Sequence, residues 1–209
     1  MKRTVAASVL LLFVALGRGS SQQQKNSDHR SNPRQDEASV LMYRDGSGFF
    51  IDVPKGWVID QEAGKRGGTC CVYYPQGSTF NDADTIMYPN IATKREGQRT
   101  LDEFMKSDLS RFLEHEPAMK YENAQDILLQ NKRIAKIRLF HGVNRGSSEA
   151  VAYIDEEKIV ALFVMSSRSE RAFNESMPLF RSAVKTYTYM NVTVSPDAMK
   201  EEPGQRPRN

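Results

Sequence analysis

Cys70 and Cys71 are the only cysteines of the 209-residue chain, and they are adjacent. A thiol pair can form a disulfide, carry a redox change or hold a soft metal ion. Adjacent cysteines close only a strained eight-membered ring, because their spacing departs from ordinary disulfide geometry. They lie in the run TCCVYY, from Thr69 to Tyr74, which is rich in strand-forming residues. On a strand their side chains would point to opposite faces. The expectation is therefore one cysteine in the core and one on the far face, both reduced. A vicinal disulfide and a redox or metal role stand as alternatives, and a two-thiol site with no neighbouring ligand in sequence is weak ground for metal.

The remaining reactive residues form no recognisable catalytic set. There are three histidines. His29 lies in a polar stretch. His115 lies between Glu114 and Glu116, where carboxylates favour an imidazolium. His141 follows a strand and precedes Gly142. No H-x-x-x-H, H-E-x-x-H or C-x-x-C spacing occurs. Asn81-Asp82-Ala83-Asp84 resembles the start of a calcium loop, but a loop starting at Asp82 would need glycine and glutamate where Met87 and Thr93 stand. It reads as a solvated turn. No G-x-S-x-G is present. Gly46-Ser47-Gly48 and the stretch from Gly142 to Ser148 lack phosphate-loop spacing. The basic, glycine-rich segment Gly64-Lys65-Arg66-Gly67-Gly68 could offer backbone donors to an anion, but reads as a flexible hairpin loop. Asn174-Glu175-Ser176 and Asn191-Val192-Thr193 match glycosylation sequons, relevant only in a eukaryotic secretory route. The sequence calls for no cofactor and no metal, and names no catalytic residue.

The elements that must position these residues begin after an export signal. Lys2 and Arg3 precede an uncharged apolar run from Val5 to Leu16, followed by the small residues of Gly17 to Ser21. That is the layout of a secretory signal peptide. The run is about half the roughly twenty residues that a bilayer span needs, so no stable membrane insertion is expected after cleavage, and the address is periplasmic or secreted. Such a compartment is oxidising, which gives the cysteine pair its interest. The signal also accounts for the charge of the chain. The formal net charge is +3, and without Lys2, Arg3 and Arg18 the chain has 26 basic and 26 acidic residues. With no basic patch interleaved with aromatics, nucleic-acid binding loses its electrostatic basis.

Four segments follow: signal peptide 1–21, disordered linker 22–38, folded domain 39–194 and disordered tail 195–209. The linker has no apolar residue before Ala38, and the tail holds three prolines and alternating charge. Within the domain, Gly48 to Val53, stopped by Pro54, then Gly56 to Ile59, Thr69 to Tyr74 and Thr85 to Thr93 read as strands. Pro89 places the last of these at an edge or a bulge. Thr100 and Glu103 form a capping box for a helix with Leu101, Phe104, Met105, Leu109, Phe112 and Leu113 on its apolar stripe. Hairpins follow at Asn131-Lys132, joining Asp126–Gln130 to Arg133–Phe140, and at 155–158. In the strand ending at Phe140, Ala135, Ile137 and Leu139 form the core face, opposite Ile134, Lys136, Arg138 and Phe140. A second capping box, Ser167 with Glu170, opens a helix carrying Phe173, Met177, Phe180 and Val184, which Pro178 should kink or restart. The class is α+β, with a largely antiparallel sheet.

The segment GFFIDVPKGW resembles the start of PsbP-like domains, a superfamily that includes the Mog and DcrB-like proteins. TLDEFMKSDLSRF, ILLQNKRIAKIRLF and MPLFRSAVKTYTY resemble the family's first main helix, paired strands and last helix, so the resemblance runs from Tyr43 to Tyr189. It implies a three-layer α-β-α sandwich without a shared catalytic centre, and accessory, binding or assembly roles. The export signal points to the secreted bacterial branch. The function implied is an exported, non-enzymatic accessory domain that binds a protein partner or supports an envelope assembly. The alternative is a small-ligand or cation-binding periplasmic domain.

Overall fold

In the computed structural model, residues 38–44, 46–143 and 146–191 are described. The segments expected to be signal peptide and tail, most of the expected linker, His29 and Val192-Thr193 of the second sequon lie outside them. Strand alternation builds two apolar faces from one sheet. Seven antiparallel strands, β3 (Trp57–Asp60), β4 (Val72–Pro75), β5 (Thr85–Thr93), β6 (Lys120–Leu128), β7 (Ile134–Val143), β8 (Ser147–Asp155) and β9 (Ile159–Ser167), lie in the order β3-β4-β5-β9-β8-β7-β6. In β9, Ile159, Ala161, Phe163 and Met165 enter one core, while Val160, Leu162 and Val164 enter the other. Helix α3 (Glu170–Lys185) covers the first face and stacks Phe180 on Phe163 at 5.6 Å between ring centroids. Beside it lies a small antiparallel sheet of β1 (Ser39–Arg44), β2 (Ser47–Asp52) and β10 (Thr188–Asn191). Helix α2 (Leu101–His115) covers the second face through Leu101, Phe104 and Met105. The result is the α+β class with a largely antiparallel sheet that the sequence pattern implies, in the three layers that the family resemblance implies.

Several local expectations hold. Thr100 caps α2, accepting from the Glu103 amide at 3.2 Å, while the Glu103 carboxylate accepts from the Thr100 amide at 2.9 Å. Thr100→Ala removes one half of this reciprocal pair and is expected to lower the unfolding free energy by about 1 kcal/mol, read from urea denaturation. The β6–β7 hairpin turns at Asn131-Lys132, where Lys132 takes a left-handed φ of 64° and the Asn131 side chain accepts from the Arg133 amide.

Other expectations need correction. Strand β4 begins at Val72, so Cys70 and Cys71 precede the ladder and do not alternate across it. The glycine-rich segment is partly helical: α1 (Gln61–Arg66) is capped by Asp60, which accepts from the Ala63 amide at 2.8 Å. Pro89 lies in an internal strand. It is tolerated because β4 pairs with β5 only at Tyr73 and Met87, leaving no ladder bond for Pro89 to make on that side. Strand β6 starts at Lys120, six residues before the expected strand. Strand β9 continues through Ser167, paired with Ser148 and Thr85, so the cap of α3 is Ser169, which accepts from the Ala172 amide. Helix α3 runs through Pro178 without interruption. Pro178 and Asn174 are both on its exposed side, where water can take the carbonyl that proline leaves unbonded.

Candidate functional site

Helix α2 covers only part of its face of the sheet. Its C-terminal half lies over Phe140, whose ring stacks on Phe112 at 4.5 Å. Phe140 is thus fully buried, and the face expected to point away from the core is half core. Toward the other end of β7, Lys136 and Arg138 lie on the same face. There α2 and the β6–β7 hairpin bound a cleft of about 400 Å³.

Five polar or aromatic side chains dominate that region. The Lys136 ammonium reaches the Asp102 carboxylate at 2.7 Å, tying β7 to the first turn of α2. Arg138 donates to the Met105 carbonyl at 2.9 Å and to the Asn123 side chain at 3.1 Å. Its guanidinium also lies 5.6 Å from the centroid of the Tyr121 ring, within cation–π range. Met105, Ala124 and Ile137 supply the apolar part of the lining. Tyr121 remains 47% exposed. Positive charge, a guanidinium and an open tyrosine therefore sit together, held by contacts to two elements.

The cleft adjoins a sheet edge. β6 is the terminal strand, and Lys120 to Asn123 are exposed along it. A bulge follows between Ala124 and Ile127. There Arg181 of α3 donates to the carbonyls of Gln125 and Asp126, at 2.9 and 3.4 Å. The second half of the edge is thereby occupied. The first half presents an unpaired ladder beside Tyr121 and Asn123, which is the template an extended segment uses when it adds to a sheet.

A second group of polar residues lies inside the α2 layer. The Glu149 carboxyl is buried and hydrogen-bonded to Ser166, its partner on β9. Burial pushes it up to about 7, and the charge of Asp108 acts in the same direction. Asp108 accepts from the Tyr153 hydroxyl at 2.8 Å and pairs with Arg111 at 2.6 Å.

The sequence-highlighted residues fall elsewhere. Cys71 is buried and Cys70 half-buried; both pack at the α3-side core, with 3.1 Å between their unbonded sulfurs. The core-and-far-face arrangement is therefore not adopted. The His115 ring contacts the Arg111 carbonyl at an exposed helix end. His141 contacts Ser148 at 3.1 Å and Glu122 at 3.8 Å. The acidic loop is a folded turn: the Thr79 hydroxyl donates to Asp82, and Arg168 holds the Asn81 carbonyl. Among the described residues, no three histidine, cysteine or acidic side chains converge in a way that could hold a metal ion. Tyr121, Asn123 and Asp102 had no signal in the linear sequence, since they meet only through strand pairing and helix placement. The polar face of Lys136 and Arg138 was visible as alternation.

No family model matches the chain, and no curated protein matches it. Solved structures do. Cyanobacterial PsbP (CyanoP) from Synechocystis sp. PCC 6803 aligns with a TM-score of 0.44 and 15% identity over 79% of this chain and 98% of its own. The Ran-binding protein Mog1p of Saccharomyces cerevisiae aligns with a TM-score of 0.48 and 11% identity, over 73% and 95%. A Mog1 point mutant gives 0.46 and 11%, over 76% and 97%.

Proposed function

We propose that the chain is an exported, non-enzymatic accessory domain that binds a protein partner, and that the partner docks on the Tyr121–Arg138 corner and the free half of β6. The observation that carries this reading is the open corner itself. A tyrosine and an arginine, the residue types that most often dominate binding energy, are held next to an unpaired strand edge. Support for export comes from the N-terminal layout of a basic start and a short apolar run. Among the described residues no helix is long and apolar enough to cross a membrane. An envelope assembly is the natural setting for such a domain, in a periplasmic or secreted location.

Arg138→Glu combined with Tyr121→Ala reverses charge and removes the ring at the corner while leaving both apolar cores intact. A photo-crosslinking residue in place of Glu122 in the otherwise native chain, expressed in its own organism, should yield one dominant adduct. The double variant should lose at least nine-tenths of that adduct while still unfolding in a single cooperative thermal transition. Equal crosslinking by both proteins, or no adduct with either, would sink the reading. The cleft volume also lies within the range of small-ligand pockets. Stabilisation by an anionic metabolite, abolished by Lys136→Ala, or by a divalent cation, abolished by Asp102→Asn, would favour that second reading.

A further inference from the structure

We propose that Cys70 and Cys71 form a reversible dithiol switch, closed to a vicinal disulfide by exchange with a low-molecular-weight disulfide. The geometry is built by the surroundings. Both residues lie before the ladder of β4, so their side chains converge, with the sulfurs 3.1 Å apart. That is hydrogen-bonding distance for sulfur and short of a bond. The segment is clamped on both sides. The Thr69 amide donates to the Gly64 carbonyl at 3.0 Å, and the Thr69 hydroxyl donates to the Pro89 carbonyl. Gly64 of α1 packs directly on the Cys71 backbone. The Tyr73 hydroxyl is buried with no hydrogen-bond partner of good geometry, and the cysteine sulfurs are its electrostatic neighbours.

The two thiols are unequal. Cys70 is half-buried and reachable from solvent, whereas Cys71 is only 1% exposed. A hydrogen bond from Cys71 favours the Cys70 thiolate and lowers it below the ordinary thiol range. The same contact, with burial, pushes Cys71 up. Cys70 is therefore the entering nucleophile and Cys71 the resolving thiol. The Cys70 thiolate attacks one sulfur of the small disulfide. A Cys70–sulfur bond forms, the small disulfide bond breaks, and one thiolate leaves with the electron pair. With the Cys70 charge gone, the main influence raising Cys71 is gone too. Cys71 gives its proton to the departed thiolate, attacks the Cys70 sulfur, and expels the second thiolate. Two protein thiols are oxidised by two electrons, and one disulfide is reduced to two thiols. The product ring spans Cα atoms about 3.8 Å apart, closer than the usual disulfide range, so it is strained and easily reduced again. That places the pair among labile, regulatory disulfides and apart from structural staples.

The test uses the full chain equilibrated in glutathione buffers of stepped potential, acid-quenched, alkylated and weighed intact. The wild type should pass directly from two alkylated thiols to none, with its mass lower by two hydrogens, and should revert in excess reduced glutathione. Cys71→Ser should stop at a single glutathione adduct. Cys70→Ser should react at least about ten-fold more slowly, since its remaining thiol is buried. The proposal fails if the wild type keeps both thiols in the most oxidising buffer or accumulates a stable glutathione adduct. The wild-type result decides this even if a variant does not fold.

Discussion

Glu149→Gln is expected to stabilise the domain by about 3 kcal/mol near pH 8 and to change little near pH 4. The wild-type carboxyl is enclosed by the α2 layer, with Ser166 hydrogen-bonded to it and the charge of Asp108 in its electrostatic neighbourhood. Its folded value lies at about 7, raised from an ordinary 4.5. Between those values the folded chain holds a proton that the unfolded chain has lost. Stability therefore falls as pH rises through this window, and the cost is complete above it. Glutamine keeps the shape and a hydrogen-bonding oxygen for Ser166, but never ionises. Urea denaturation of both proteins across pH 4 to 8 should give two curves that coincide at the acid end and diverge between about 4.5 and 7. Parallel curves would mean that the folded carboxyl ionises at its ordinary value because water reaches it.

What made the layers legible in the sequence was periodicity. Ala135 and Ile137 enter the α3-side core as their alternation indicates, and the Thr100–Glu103 box marks the start of α2 to the residue. Local chemistry was sufficient there because each signal concerns groups within a few positions. Phe140 was misplaced for the opposite reason: whether a strand face is covered depends on where α2 crosses it, and Phe112 is 28 positions away in the chain. The corner of Tyr121, Asn123 and Arg138 was invisible for the same cause, being created by the pairing of Asn123 with Arg138. Helix α1 was hidden by its own composition. Gly64, Gly67 and Gly68 read as loop residues, although Asp60 stands three positions before Ala63 as a cap. The cysteine pair turned on a shift of three residues: a strand starting at Thr69 separates the thiols, and one starting at Val72 brings them together.

That shift rests on one glycine, and Gly64→Ala should be the most damaging single-methyl change in the α1 region. A methyl on Gly64 would stand 2.2 Å from the Cys71 Cα, 2.4 Å from its nitrogen and 2.7 Å from its carbonyl carbon. All three are backbone atoms, so no rotamer change relieves the contact. Alanine favours a helix over glycine by about 1 kcal/mol, and Gly64 lies inside α1, so intrinsic propensity alone predicts a gain. Overpacking against immovable backbone costs about 3 kcal/mol or more, so the net effect is a loss of at least about 2 kcal/mol. The relief available is to lift α1 from β4, which would withdraw Ala63 from the core and uncover Cys71. Two readouts should therefore move together: a lower urea midpoint, and faster alkylation of Cys71 in a Cys70→Ser background. Lys65→Ala, on the exposed side of the same helix, should move neither. Unchanged stability in Gly64→Ala would show that α1 does not press on the cysteine segment. The convergence of the two thiols would then need another cause.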